Sequence, residues 1–234
     1  LKKLPEIPVI LIAPETKKIS INLQIKISKF VKLKNSNLET TQLLSSKYET
    51  ISFLKNTNIS HVGIAKGNEK AFVVKKNYST GSETTKLSKD YKSKSSEIIQ
   101  PFYSGVKGSF SMLCLKKKFI LISCNKQIVK INRNGIKQIG IIVGGLEEDR
   151  KELECLAKDI FLSIKGLFGM IGVDIIKYNG MWHVLEINPR FTSSFNGVLD
   201  CYGEQTVEQI TNLYLDKELK FNKPILRKTK KIYF

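Results

Sequence analysis

One stretch constrains this chain more than any other: residues 172–194, GVDIIKYNGMWHVLEINPRFTSS. Two apolar runs flank Asn179-Gly180, the dipeptide that marks a tight turn between antiparallel strands. Asp174 lies inside the first run, Glu186 and Asn188 close the second, and Arg190 follows Pro189. Two carboxylates and an amide oxygen are hard oxygen ligands, the set Mg²⁺ takes beside substrate phosphates. Side chains alternate along a strand, so Glu186 and Asn188 share a face. A flush two-residue loop pairs Tyr178 with Met181, sets Asp174 opposite Leu185 and turns it away from Glu186. A three-residue loop, Tyr178-Asn179-Gly180 with a bulge, pairs Lys177 with Met181 and Asp174 with Val184, and brings all three ligands to one face. A metal site therefore calls for the bulged loop. The alternative is a pair of exposed edge carboxylates neutralised by lysines.

Charge is the next constraint. The 234 residues carry a net charge of +18, and four arginines stand against 35 lysines. Specific phosphate recognition in nucleic acids favours the arginine fork. These lysines are also scattered, with no aromatic platform between them. Solvated lysine faces are the plain reading, and attraction of an anion such as a nucleotide's phosphates is the alternative. The longest apolar runs, residues 9–13 and 139–143, are too short to span a bilayer. Pro5 and Pro8 break what would have to be a signal peptide. The four cysteines form no CxxC pair and have no histidine at zinc spacing, which points to a reducing, cytoplasmic setting. The chain begins at Leu1, so further sequence in front of it is expected.

In chain order, residues 9–13 read as a short strand and 19–31 as a further apolar pattern. Residues 46–58 have helical spacing, and 59–62 and 71–74 read as strands. Residues 75–96 turn abruptly Ser/Thr/Lys-rich, which suits either a surface loop or a lid closing over phosphates. Strand character resumes at 97–102. A hairpin is expected from residues 110–115 and 119–123 around Lys116–Lys118, and residues 140–145 are apolar and bounded by glycines. From Glu147 to about Lys165, Leu153, Leu156, Ala157, Ile160, Phe161 and Ile164 form one helical stripe with acids in the first turn, ended by Gly166. A second helix is expected over 204–215, and a basic tail from 221.

At EINPR the hairpin resembles a known family. Residues 169–194 are similar to the metal- and ATP-binding core of ATP-grasp carboxylate–amine ligases, and the resemblance extends over about 46–202. The segments IAPET, CNKQ, GLFGMIGVD and EINPRFTSS are most like the tyramine–glutamate ligases of methanofuran biosynthesis and their relatives. The resemblance implies an α+β chain with the ATP-grasp fold, two α+β subdomains clasping ATP. Residues 1–45 would be a shortened N-terminal α/β segment, 46–220 the ATP-grasp domain with a lid subdomain at about 60–103, and 221–234 the tail. It implies that Asp174, Glu186 and Asn188 hold Mg²⁺ (or Mn²⁺), and that Lys47 and Lys75 bind ATP phosphates under a loop containing Ser79, Gly81 and Ser82. Gln100 and the backbone of Phe102 and Tyr103 would meet the adenine. Arg190 and Lys75 would be catalytic, with Arg190, Thr192 and Ser193 binding substrate. Lys107 departs from the pattern, standing where many members place an acid near the ribose.

The chemistry implied is activation of a carboxylate, glutamate among the candidates, as an acyl phosphate that an amine then attacks. The partners are ATP, a small carboxylate and a small amine, without a membrane, and a homodimer is left open. The alternatives are a nucleotide-binding module with reduced catalysis and, third, a basic nucleic-acid-binding protein.

Overall fold

The structure is a computed structural model that describes residues 8–79, 85–92, 94–132, 135–216 and 222–234. Three short helices come first: α1 (Ile19–Ile27), α2 (Leu38–Ser45) and α3 (Lys47–Leu54). Side-chain oxygens cap the second and third, Asn37 taking the N–H of Thr40 and Ser46 that of Glu49, which satisfies otherwise unpaired first-turn donors. Residues 9–13 do not form the expected strand. Val9 makes one parallel bridge to Leu33, and the Asn35 amide clamps both the N–H and the carbonyl of Leu11. Residues 59–62 likewise contribute a single bridge, His61 to Val184.

A small antiparallel sheet follows, from β1 (Phe72–Lys76), β2 (Lys86–Ser88) and β3 (Glu97–Pro101), in the order β2-β1-β3. The 75–96 stretch thus contains a strand. Alternation along β1 sends Phe72 and Val74 into a small core with Ala65 and Ile99, and Val73 and Lys75 toward the neighbouring sheet.

That neighbour is built from β4 (Val106–Cys114), β5 (Phe119–Asn132) and β6 (Gly135–Val143), then helix α4 (Arg150–Ser163), then β7 (Gly169–Tyr178) and β8 (Met181–Asn188). Helices α5 (Val198–Tyr202) and α6 (Glu204–Tyr214) and strand β9 (Lys230–Tyr233) complete it, giving the order β8-β7-β4-β5-β6-β9. The last strand pairs with β6 although its segment is basic.

One face of this sheet is buried by the apolar stripe of α4 and by residues of α2 and α3, with Phe110, Met112, Ile171, Val173 and Ile175 in the shared core. The other face is half covered. Helices α5 and α6 pack on Leu113, Ile122, Ile141 and Met170. The remaining half, with Lys107, Ser109, Gln127, Asp174 and Ile176, stays open toward the small sheet. This asymmetry makes the cleft.

Helix α4 is pinned at both ends. At its start Arg150 donates to the carbonyls of Leu121 and Ile122, at 2.9 and 3.1 Å, and to Glu147. Glu147 in turn accepts from the Tyr202 hydroxyl and the Cys124 N–H. At its end Gly166 takes φ +79°, and its carbonyl accepts from Asn37. A Cβ there would lie 2.3 Å from the Asn37 amide. Among the described residues no helix is long and apolar enough to cross a membrane.

Candidate functional site

The turn at Asn179-Gly180 is flush. Tyr178 pairs with Met181, and φ values of 49° and 79° at Asn179 and Gly180 suit the two-residue mirror-image turn that Asn-Gly favours. The expected three-residue loop is therefore corrected, as are the pairings Lys177 to Met181 and Asp174 to Val184. The ligands nevertheless share a face. Ile175 pairs with Val184 and Asp174 with Glu186, so Leu185 is an extra residue on β8. A bulge restores the register that the turn alone would lose. Trp182, Val184 and Ile187 enter the core, while Glu186 and Asn188 join Asp174 on the cleft side.

The cleft has a volume of about 320 Å³, and Lys47, Lys75, Gln100, Phe102, Tyr103, Asp174, Glu186, Asn188, Arg190, Thr192 and Ser193 all line it. Ser79 is buried and accepts Lys47 Nζ on its carbonyl at 2.7 Å. Gly81 and Ser82 lie outside the described residues.

Lys47 starts α3 directly after its cap, and its ammonium also reaches Glu186 at 2.9 Å. The ammonium of Lys75, from the end of β1, has no ion pair or hydrogen bond among the described residues. Burial, reinforced by Lys47 and Lys107 and partly offset by Glu186, depresses its pKa to about 8. Lys107 is depressed too, through burial, with Asp174 opposing.

Gln100 is held by its nitrogen, Nε2 donating to the Val62 carbonyl at 2.7 Å. Its oxygen is then what the amide offers a ligand's amino group. The Phe102 N–H is committed to the Ala71 carbonyl at 2.9 Å, so of its two backbone groups Phe102 has its carbonyl to offer a base. The Tyr103 ring stacks on Tyr178, with centroids 4.2 Å apart.

Asp174 accepts from Gln127 Nε2 at 2.7 Å and from the Asn188 amide at 3.4 Å. Burial and then the charge of Glu186 push its pKa up to about 6, against the pull of Lys75, Arg190 and Gln127. A buried carboxylate whose proton affinity is raised by a second carboxylate facing it marks a pocket that a hard cation relieves. Among the described residues no three His, Cys, Asp or Glu side chains gather as a metal cluster. A cation here would take Asp174, Glu186 and the Asn188 oxygen and complete its shell with water or phosphate, as Mg²⁺ commonly does. The donor set fits.

Arg190 forks onto Glu15, Nε to Oε1 at 2.8 Å and Nη2 to Oε2 at 2.9 Å. Burial opposes its charge, but the Glu15 hydrogen bonds and charge outweigh that and raise its pKa. Thr192 fits only because Gly172 opposite lacks a side chain: a Cβ there would sit 2.3 Å from Thr192 Cγ2. Thr192 Oγ1 bonds Ser194, which is bonded to Ser111.

Sequence reasoning missed Glu15 and Gln127 as parts of the site. Each lies in a segment singled out for its resemblance, IAPET and CNKQ, and that was their one signal.

A family model for the ATP-grasp domain matches residues 44–194. A tyramine–L-glutamate ligase from Methanocaldococcus jannaschii is 27% identical over 220 residues, covering 91% of this chain and 64% of that protein. Two similar solved structures are N5-carboxyaminoimidazole synthetase from Staphylococcus aureus in complex with ADP and phosphoribosylamine–glycine ligase from Thermotoga maritima. The first has a TM-score of 0.73 at 15% identity, over 95% of this chain and 64% of the other. The second has a TM-score of 0.73 at 14% identity, over 95% and 65%. At these identities the likeness concerns the fold. The chain spans just under two thirds of the length of these relatives.

Proposed function

Because the chain belongs to the ATP-grasp family, we propose that it is an ATP- and Mg²⁺-dependent ligase that activates a carboxylate as an acyl phosphate and joins it to an amine. The observation that carries this is the bulge at Leu185, which turns Asp174, Glu186 and Asn188 into the cleft that Lys47, Lys75 and Arg190 also line. A strand that merely packs has no use for carboxylates there, because burying them without a counter-ion is unfavourable.

In this reading Gln100 accepts from the adenine amino group and the Phe102 carbonyl and Tyr103 border the base. Lys47 and Lys75 meet the phosphates under the loop that holds Ser79, Gly81 and Ser82. Asp174, Glu186 and Asn188 hold Mg²⁺ (or Mn²⁺), which when bound offsets phosphate charge. A substrate carboxylate oxygen attacks the γ-phosphorus and ADP leaves. The amine nitrogen then attacks the acyl carbon, inorganic phosphate leaves and the nitrogen loses a proton. Lys75 and Arg190 stabilise the charge on the phosphoryl group in transit, and Thr192 and Ser193 hold substrate oxygens. Such chemistry rests on positioning and electrostatics. Glutamate is the first carboxylate to try and tyramine the first amine, since the 27% identical relative is a tyramine–L-glutamate ligase. We place the reaction in the cytoplasm.

The test is ADP release with pooled amino acids and amines, glutamate with tyramine included. Release must require both a carboxylate and an amine, and Glu186→Ala must abolish it. Undiminished release by that variant would sink the assignment. ATP binding without release under any pair would favour a nucleotide-binding module.

A further inference from the structure

The Arg190 side chain does not reach the cleft unaided. Its fork closes on Glu15, a residue 2% exposed that lies 175 positions earlier, outside the span of the family match. Nη1 donates to the Phe191 carbonyl at 3.1 Å and Nη2 also to Asn188 Oδ1 at 3.3 Å. A guanidinium has five N–H groups. These four contacts use four of them and leave one, on Nη1, for a ligand. The plane and direction of the group are therefore set before anything binds.

Glu15 is itself held firmly. Its carbonyl accepts from Lys18, and the Pro14 carbonyl before it accepts from Ser20. The preceding residues are tied by the Leu11–Asn35 amide clamp, and α1 behind them is tied by Gln24 Nε2 to the Ser36 carbonyl. Two charge-assisted bonds in a buried place confer geometry as well as attraction.

We propose that Glu15 is a positioning residue for Arg190, and that the segment ahead of α1 is thereby part of the active site. The proposal rests on the reading of the cleft as an ATP site, with Arg190 touching the γ-phosphoryl group. Glutamine at position 15 keeps the shape but turns an amide N–H₂ toward one guanidinium nitrogen. The fork is lost, and with it the orientation.

The experiment titrates Mg²⁺-ATP and Mg²⁺-ADP calorimetrically into the wild type, Glu15→Gln, Arg190→Gln and the double variant. The wild type should prefer ATP to ADP, and each single variant should lose about tenfold of that preference, the scale of one hydrogen bond to a charged group. The double variant should lose no more than either single one. Glu15→Asp keeps the charge on a shorter arm and should recover part of the preference; it also serves should the glutamine variant fold poorly. A purely structural Glu15 would weaken ATP and ADP alike, or its loss would multiply with that of Arg190, and either result overturns the inference while the ATP reading stands. If the wild type binds neither nucleotide, or Arg190→Gln leaves the preference intact, the reading beneath it falls and the inference with it.

Discussion

Lys75 offers the sharpest test of the cleft's electrostatics. Its pKa is depressed from 10.5 to about 8, first by burial and then by Lys47 and Lys107, with Glu186 and Asp174 opposing. A phosphate bound beside it needs the ammonium form, so binding must draw a proton back onto the amine whenever the pH is above about 8. With a free-state pKa near 8, about nine tenths of the groups are protonated at pH 7 and roughly one tenth at pH 9, so ATP affinity should fall about tenfold over that interval. Calorimetry in buffers of different ionisation enthalpy should show uptake of close to one proton per nucleotide at pH 9 and about a tenth of one at pH 7. Lys75→Arg, which stays charged throughout, should flatten the profile and cancel any contribution from ATP's own titration. Folding stability runs the other way. A lowered lysine pKa means the unfolded chain holds more protons between pH 8 and 10.5, so this group's penalty on the fold is relieved as pH rises through that window. A wild-type affinity as flat as that of Lys75→Arg between pH 7 and 9 would refute the depressed pKa or the phosphate contact.

Two further substitutions probe the scaffold. Gly172→Ala puts a Cβ 2.3 Å from Thr192 Cγ2 and 2.9 Å from its Oγ1, and should lower stability by about 1–3 kcal/mol; an unchanged urea midpoint would mean that the loop after Pro189 yields freely. Arg150→Met leaves half-buried Glu147 without its guanidinium partner and the Leu121 and Ile122 carbonyls without their donor, a loss on the order of 1–3 kcal/mol in chemical unfolding. Adding Glu147→Gln should restore part of that, and strictly additive losses would contradict the pairing.

The sequence by itself determined much of the site. The residue types in 172–194, the Asn-Gly turn and the stripe on α4 are local patterns, each spelled by neighbours a few positions apart, and local sterics and burial suffice to express them. Lys47, Lys75 and Gln100 were pointed to by the resemblance that EINPR and the short segments around it carry, and not by any local pattern of their own. The location of the extra residue was not legible. A bulge in the turn and a bulge at Leu185 give the same faces to Glu186 and Asn188, and the choice falls to Asn179 and Gly180, whose left-handed conformations close a flush turn, and to Val184 and Trp182, which must reach the core. Glu15 and Gln127 were illegible as partners for a simpler reason: a carboxylate 175 residues from its arginine and an amide 47 residues from its aspartate leave no local trace. Strand β9 was hidden by its lysines, since an edge strand tolerates charge that an interior strand would not. These contacts are made only when the N-terminal segment meets the loop after β8, β5 lies within reach of β7, and β9 returns to β6. The tertiary structure decided those.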